Sequence, residues 1–247
     1  MERNRVARAA SYSAQRFRAM TGRRAEYGTI VLNSELRPPL VARMLSRWTL
    51  PYYRVGQTSL PEGKKALGEA RPGIEAEQAV TVLAREVLSH EICHKFVHAH
   101  ARGRSIPMAF EEVISVGCER PDLRKNRINN KYTYSFYNSW SKFLTSDHPM
   151  NERKSPFRKP SISGYDVLYI EHGSDFGNHV MEYYYRSALF GSFLEEKCKK
   201  TFPLGIILDR VDQNFDFAAW LASRREPCLG YSERSFSRDV TTYAETH

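Results

Sequence analysis

The chain has few cysteines and no pattern among them. Its four, Cys93, Cys118, Cys198 and Cys228, form no CxxC pair in 247 residues. That argues against a disulfide-stapled fold and for a reducing compartment. No apolar run approaches the ~20 residues a membrane-spanning helix needs. The start, MERNRVARAASYSAQRFRAM, lacks the apolar core of a secretory signal. Classical secretion and a transmembrane segment are therefore not expected, and a cytoplasmic setting is favoured. An Arg- and Ser-bearing, acid-poor start leaves organelle targeting or non-classical export open. Internal repeats and long low-complexity linkers are also lacking, so nothing splits the chain into an array.

What is present suits a globular domain: 41% hydrophobic, 26% charged and 12% aromatic residues. The length allows one sizeable core. The net charge of +9 is uneven. Residues 1–24 carry seven arginines against Glu2, and residues 120–160 carry ten Lys or Arg against three acids. The remainder is mildly acidic. Such basic segments can meet nucleic acid or an anionic surface, or simply be solvated. No nucleic-acid-binding signature accompanies them. Residues 1–26 read as a basic N-terminal tail, free to be flexible, and residues 27–247 as one domain.

Along that domain, YGTIVLN (residues 27–33) reads as a short strand ended by SELRPP. Residues 74–101 are uninterrupted and predict a helix that Gly103 stops. This helix is apolar round most of its girth, which places it at the centre of a domain. Its polar exceptions are histidines and Glu91. Pro107 opens a second helix, PMAFEEVISVGCE. Phe136, Trp140 and Phe143 stand at helical spacing and read as core. Residues 145–164 read as a polar loop, and the last third as helices with short connections.

The segment EVLSHEICHKFVHAH holds His90-Glu91-Ile92-Cys93-His94, an HExxH motif on a predicted helix. Helical residues four apart share a face, so both imidazoles can reach one ion. Two imidazoles leave room around zinc for a third protein ligand and a water. Glu91 lies about 100° round the helix from His90. It can take a proton from water that zinc has acidified and pass it to a leaving amine.

Two places compete to supply the third ligand. His100 follows His94 by six positions, the spacing of the metzincin pattern HExxHxxGxxH. Val97 stands at the glycine of that pattern and is ill suited to the φ > 0 turn required there. His98 is one turn past His94, too far along the axis. The other candidate is on the second helix, where Glu111 or Glu112 can fold back over His90 and His94 across a compact helix–turn–helix.

Here the sequence resembles the gluzincin, or peptidase MA-like, zinc hydrolases. AFEEVISVGCE is similar to their W-x-E-G-x-A segment, with Phe110 at the aromatic position and Glu112 at the ligand. YIEHGSDFGNHVMEYYY resembles their Y-x-x-G-x-x-F-x-x-Y helix through Tyr169, Gly173, Phe176 and Tyr183. NFDFAAWLASR, with Phe215 and Trp220, is similar to their closing C-terminal helix. The likeness spans residues 80–221, and its first forty are the specific ones. Val113 stands where glycine is usual, and Ser115 where alanine is usual.

The resemblance implies an α+β, mostly helical zincin-like domain, with a small N-terminal β-sheet and a helical C-terminal part. It implies a metallopeptidase acting on protein or peptide substrates, with Zn2+ on His90, His94 and Glu112 and Glu91 as general base. It further implies a strand over the cleft, for which TIVLN is the candidate, and an oxyanion donor, either Tyr169 or His172. The alternatives are a three-histidine site using His100, and a non-catalytic zinc-stabilised protein that binds through its basic segments.

Overall fold

The structure is a computed structural model. It describes residues 2–26, 88–129, 136–147, 149, 175–198, 202–212, 214–222 and 232–246. These form helices α1 (Glu2–Thr21), α2 (Leu88–Ala101), α3 (Met108–Gly117), α4 (Pro121–Asn129), α5 (Trp140–Leu144), α6 (Asp175–Lys197), α7 (Pro203–Arg210), α8 (Phe217–Ala222) and α9 (Glu233–Thr246). No strand occurs among the described residues, so the expected α+β class is corrected to an all-helical one there. The physical reason lies in α3. Every residue from Ala109 to Gly117 is buried, and α1, α2, α5 and α6 pack around it. Helices therefore cover the surface on which a sheet would have to pack. Residues 27–33, the expected strand, lie outside the described residues, as do residues 74–87 of the expected long helix and most of the expected polar loop.

Both helices of the motif region begin and end as local chemistry dictates. Past Ala101 the chain turns left-handed at Arg102 (φ 49°) and Gly103 (φ 86°), which stops α2. Arg104 fixes this end by donating to the Ala101, Leu208 and Val211 carbonyls, so one guanidinium satisfies the last carbonyls of two helices. Pro107 caps α3 without a side-chain bond, its carbonyl accepting from the Phe110 and Glu111 amides. The turn between them is short enough to lay α3 back along α2.

The N-terminal segment is not a tail in this structure. It is helix α1, packed on α2, α3 and α7. Ala9, Ser13, Phe17, Met20 and Thr21 are buried along one face at helical spacing. Two of its arginines face acids from the far end of the chain: Arg16 makes paired bonds of 3.0 and 2.9 Å to Glu195, and Arg23 pairs with Asp209. Arg16 also donates to the Gly117 carbonyl at the end of α3. At the α1–α7 contact, a Cβ on Gly205 would lie 1.8 Å from the Thr21 carbonyl oxygen, so the approach of these backbones requires glycine.

The rest of the core is aromatic. Trp140, Phe143, Tyr183, Phe190 and Phe236 are buried and contact one another edge-on or tilted. Trp140 and Phe143 are core, as their spacing predicts. Phe136 is not: it is exposed and stacks on His179.

The cysteine expectation is also corrected. Cys93 of α2 and Cys118, just past α3, form a disulfide with Cα atoms 6.4 Å apart. Cys198 is disulfide-bonded too, and no described cysteine is free. The partners are 25 positions apart, so no short motif announces them. They are neighbours in space because α2 and α3 lie against each other. Closing such a loop stabilises the fold by about 3 kcal/mol on chain-entropy grounds.

Candidate metal centre

Helix α2 carries His90 and His94 one turn apart on the side facing α3. Their Nε2 atoms lie 3.0 Å from each other. From α3, Glu112 places Oε2 3.2 Å from His90 Nε2 and Oε1 3.4 Å from His94 Nε2. One donor atom from each of the three residues falls within 4.8 Å of the others. His90 and Glu112 are buried and His94 is half-buried, so the group opens to solvent on the His94 side.

The far side of each ring is held by a further carboxylate. His90 Nδ1 lies 3.0 Å from Glu119 Oε1, and His94 Nδ1 lies 2.6 Å from Glu111 Oε1. An imidazole that donates its Nδ1 proton to a carboxylate keeps its Nε2 lone pair for an ion, and its orientation is fixed. Glu119 is anchored in turn by Arg127 of α4, which donates twice at 2.7 Å. That guanidinium stacks 4.6 Å above the Tyr184 ring of α6. Tyr12 of α1 donates to the Glu119 carbonyl at 3.2 Å. Four helices thus converge on the two histidines.

Two features fit a bound cation. Glu112 Oε2 is buried and makes no hydrogen bond, meeting the His90 ring at 3.2 Å, a costly state for a carboxylate oxygen while that imidazole is neutral. Among the described residues, with both imidazoles neutral, the carboxylates of Glu111, Glu112 and Glu119 face one guanidinium, that of Arg127. The resulting excess of negative charge is what one divalent ion cancels. Two nitrogens and one carboxylate oxygen form a donor set that zinc accepts in sites keeping a position open.

Without an ion, protons take its place. Burial disfavours charge on His90, but the Glu112 carboxylate beside it and the bond to Glu119 prevail, raising its pKa to about 9. His94 likewise rises well above the ordinary value: burial opposes its charge, and Glu111 and Glu112 outweigh burial. Burial pushes the other way on the acids and again loses. Glu111 is held down to about 2 by His94 and His98, and Glu112 is lowered by His90 and His94. Glu119 is lowered by His90 and Arg127 against its burial.

The remaining residues singled out in the sequence fall as follows. Glu91 lies on α2 between the two histidines, and its side chain is outside the described set. Tyr169 and His172 lie outside the described residues. His100 sits away from the group, 2.8 Å from Asp209 of α7. His98 is exposed and lies 2.8 Å from Glu111. Glu119, Arg127 and Tyr184 were not anticipated. The visible signal is an acid that follows VISVGC, a stretch with Ser115 as its one hydroxyl, where the chain leaves the core.

Glu119→Gln tests the outer layer. It removes no member of the His90–His94–Glu112 group, and zinc affinity is expected to fall roughly 10–100-fold, read by competition with a chelating dye. Unchanged affinity would show that His90 needs no carboxylate behind it. Among the described residues no helix is long and apolar enough to cross a membrane. Compared with family models, curated proteins and solved structures, the chain matches none.

Proposed function

We propose that the chain is a zinc-dependent hydrolase of peptide bonds, with His90, His94 and Glu112 as the residues that hold the ion and Glu91 as general base. The observation that carries this reading is the convergence of three donors from two helices, with each imidazole Nδ1 engaged by a carboxylate and Glu112 Oε2 left unbonded in a buried site. A bound zinc ion supplies Lewis acidity, lowering the pKa of water and polarising a carbonyl.

The chain's own residues do the rest. His90 and His94 are oriented by Glu119 and Glu111, so their lone pairs need no reorganisation. Glu91 follows His90 on the same helix, about 100° further round its axis. There it takes the proton of the attacking water and hands it to the departing amine. A purely structural ion would have no use for a carboxylate in that position, which favours catalysis over a scaffold role. The half-buried edge of His94 is the side from which an extended substrate can approach.

Cleavage of a mixed peptide library tests the reading. Activity is expected to vanish after dialysis against a zinc chelator and to return with about one equivalent of zinc. A zinc-loaded protein that cleaves no peptide in the library would contradict the assignment as a peptidase. Activity that survives full removal of the ion would contradict the assignment as a metal enzyme.

A further inference from the structure

The disulfide lies within the framework of the candidate metal centre. Cys93 immediately precedes His94 and Cys118 immediately precedes Glu119. Each half-cystine is thus the chain neighbour of a residue in the histidine–carboxylate group, one on α2 and the other at the end of α3. The bond crosses the same pair of helices whose register brings Glu112 against His90 and His94. Both cysteines are fully buried, with 0% exposure. From these observations we infer that the metal centre matures oxidatively: the Cys93–Cys118 bond sets α2 against α3, and only the oxidised chain presents the ligands at full affinity. The inference rests on the metal reading above and adds a condition to it.

The chemistry requires an acceptor. Forming the bond removes two electrons and two protons from the Cys93 and Cys118 thiols. A protein or small-molecule disulfide accepts them by exchange and is reduced to two thiols. Because the sulfurs end up inside the core, exchange has to occur before α1, α2 and α3 close over them. Metal uptake then follows oxidation, in a compartment that sustains disulfides. Once the core has closed, thiol reductants have no path to the bond, so the centre is expected to be insensitive to them afterwards.

The test uses the full chain, oxidised wild type beside Cys93→Val/Cys118→Val, whose side chains fill the space and cannot bind metal. Zinc affinity is measured by chelator competition at a temperature where far-UV circular dichroism shows equal helicity. The expected result is one tight site in the wild type and at least roughly tenfold weaker binding in the double variant, of the size seen when support behind ligands is lost. Equal affinity in the two proteins would overturn the oxidative requirement and leave the metal centre standing. Absence of zinc binding from both would overturn the metal reading and this inference with it. A double variant with no helicity at any temperature would make the bond a general staple, and would overturn the specific link to the ligands.

Discussion

Glu112→Gln is expected to lower zinc affinity by roughly 10²–10⁴-fold, about a third of the binding free energy typical of a protein zinc site. The amide keeps the size and most of the packing of the side chain but removes its charge. Two imidazoles and a neutral oxygen remain, in a pocket still lined by Glu111 and Glu119. Chelator competition reads the loss directly. A variant with wild-type affinity would move the third ligand elsewhere, with Glu111 the nearest substitute.

The same substitution has a pH signature in the metal-free protein. Against its burial, the Glu112 charge helps hold His90 at about 9, whereas an unfolded histidine titrates near 6.5. A group raised on folding contributes its full stability below the unfolded value and loses it as the pH climbs through the folded one. Metal-free Glu112→Gln is therefore expected to be less stable than wild type at about pH 6, with the difference gone by about pH 10. Urea midpoints on chelator-treated protein check this. A deficit that grows with pH would contradict the pairing of Glu112 with protonated imidazoles.

Glu91→Gln should separate chemistry from binding. Zinc content is expected to stay at the wild-type level, because both imidazoles and Glu112 are untouched. Turnover is expected to fall by roughly 10²–10⁴-fold, the usual contribution of a positioned general base. Glutamine can still hydrogen-bond to water but cannot accept its proton. A variant that retains full turnover would remove Glu91 from the reaction, and with it the main ground for reading the centre as catalytic.

The inner part of the centre was legible in the sequence because helical periodicity is local. Four-residue spacing puts His90 and His94 on one face, Gly103 and Pro107 mark the turn, and the second helix then offers Glu111 and Glu112 at the right distance. Glu119 was not legible: its role depends on where α3 ends and on Arg127 lying beside that end, a tertiary fact. Helix α1 was hidden by its arginines. Its buried stripe is thin and partly made of small residues such as Ala9 and Ser13, while the acids that pair with Arg16 and Arg23 lie nearly two hundred positions away. The disulfide was missed for a related reason. Cys93 and Cys118 stand 25 positions apart on two different helices, and cysteine spacing carries no trace of how those helices face each other.

Residue 94 is the point at which the account is most exposed. Metal analysis of purified wild type beside His94→Ala, after equal exposure to zinc and desalting, tests it most directly. The account predicts about one zinc per wild-type chain and almost none in the variant, because a site with only His90 and Glu112 left cannot hold the ion through desalting. A wild type that takes up no zinc, or a His94→Ala protein that keeps a full equivalent, would contradict it.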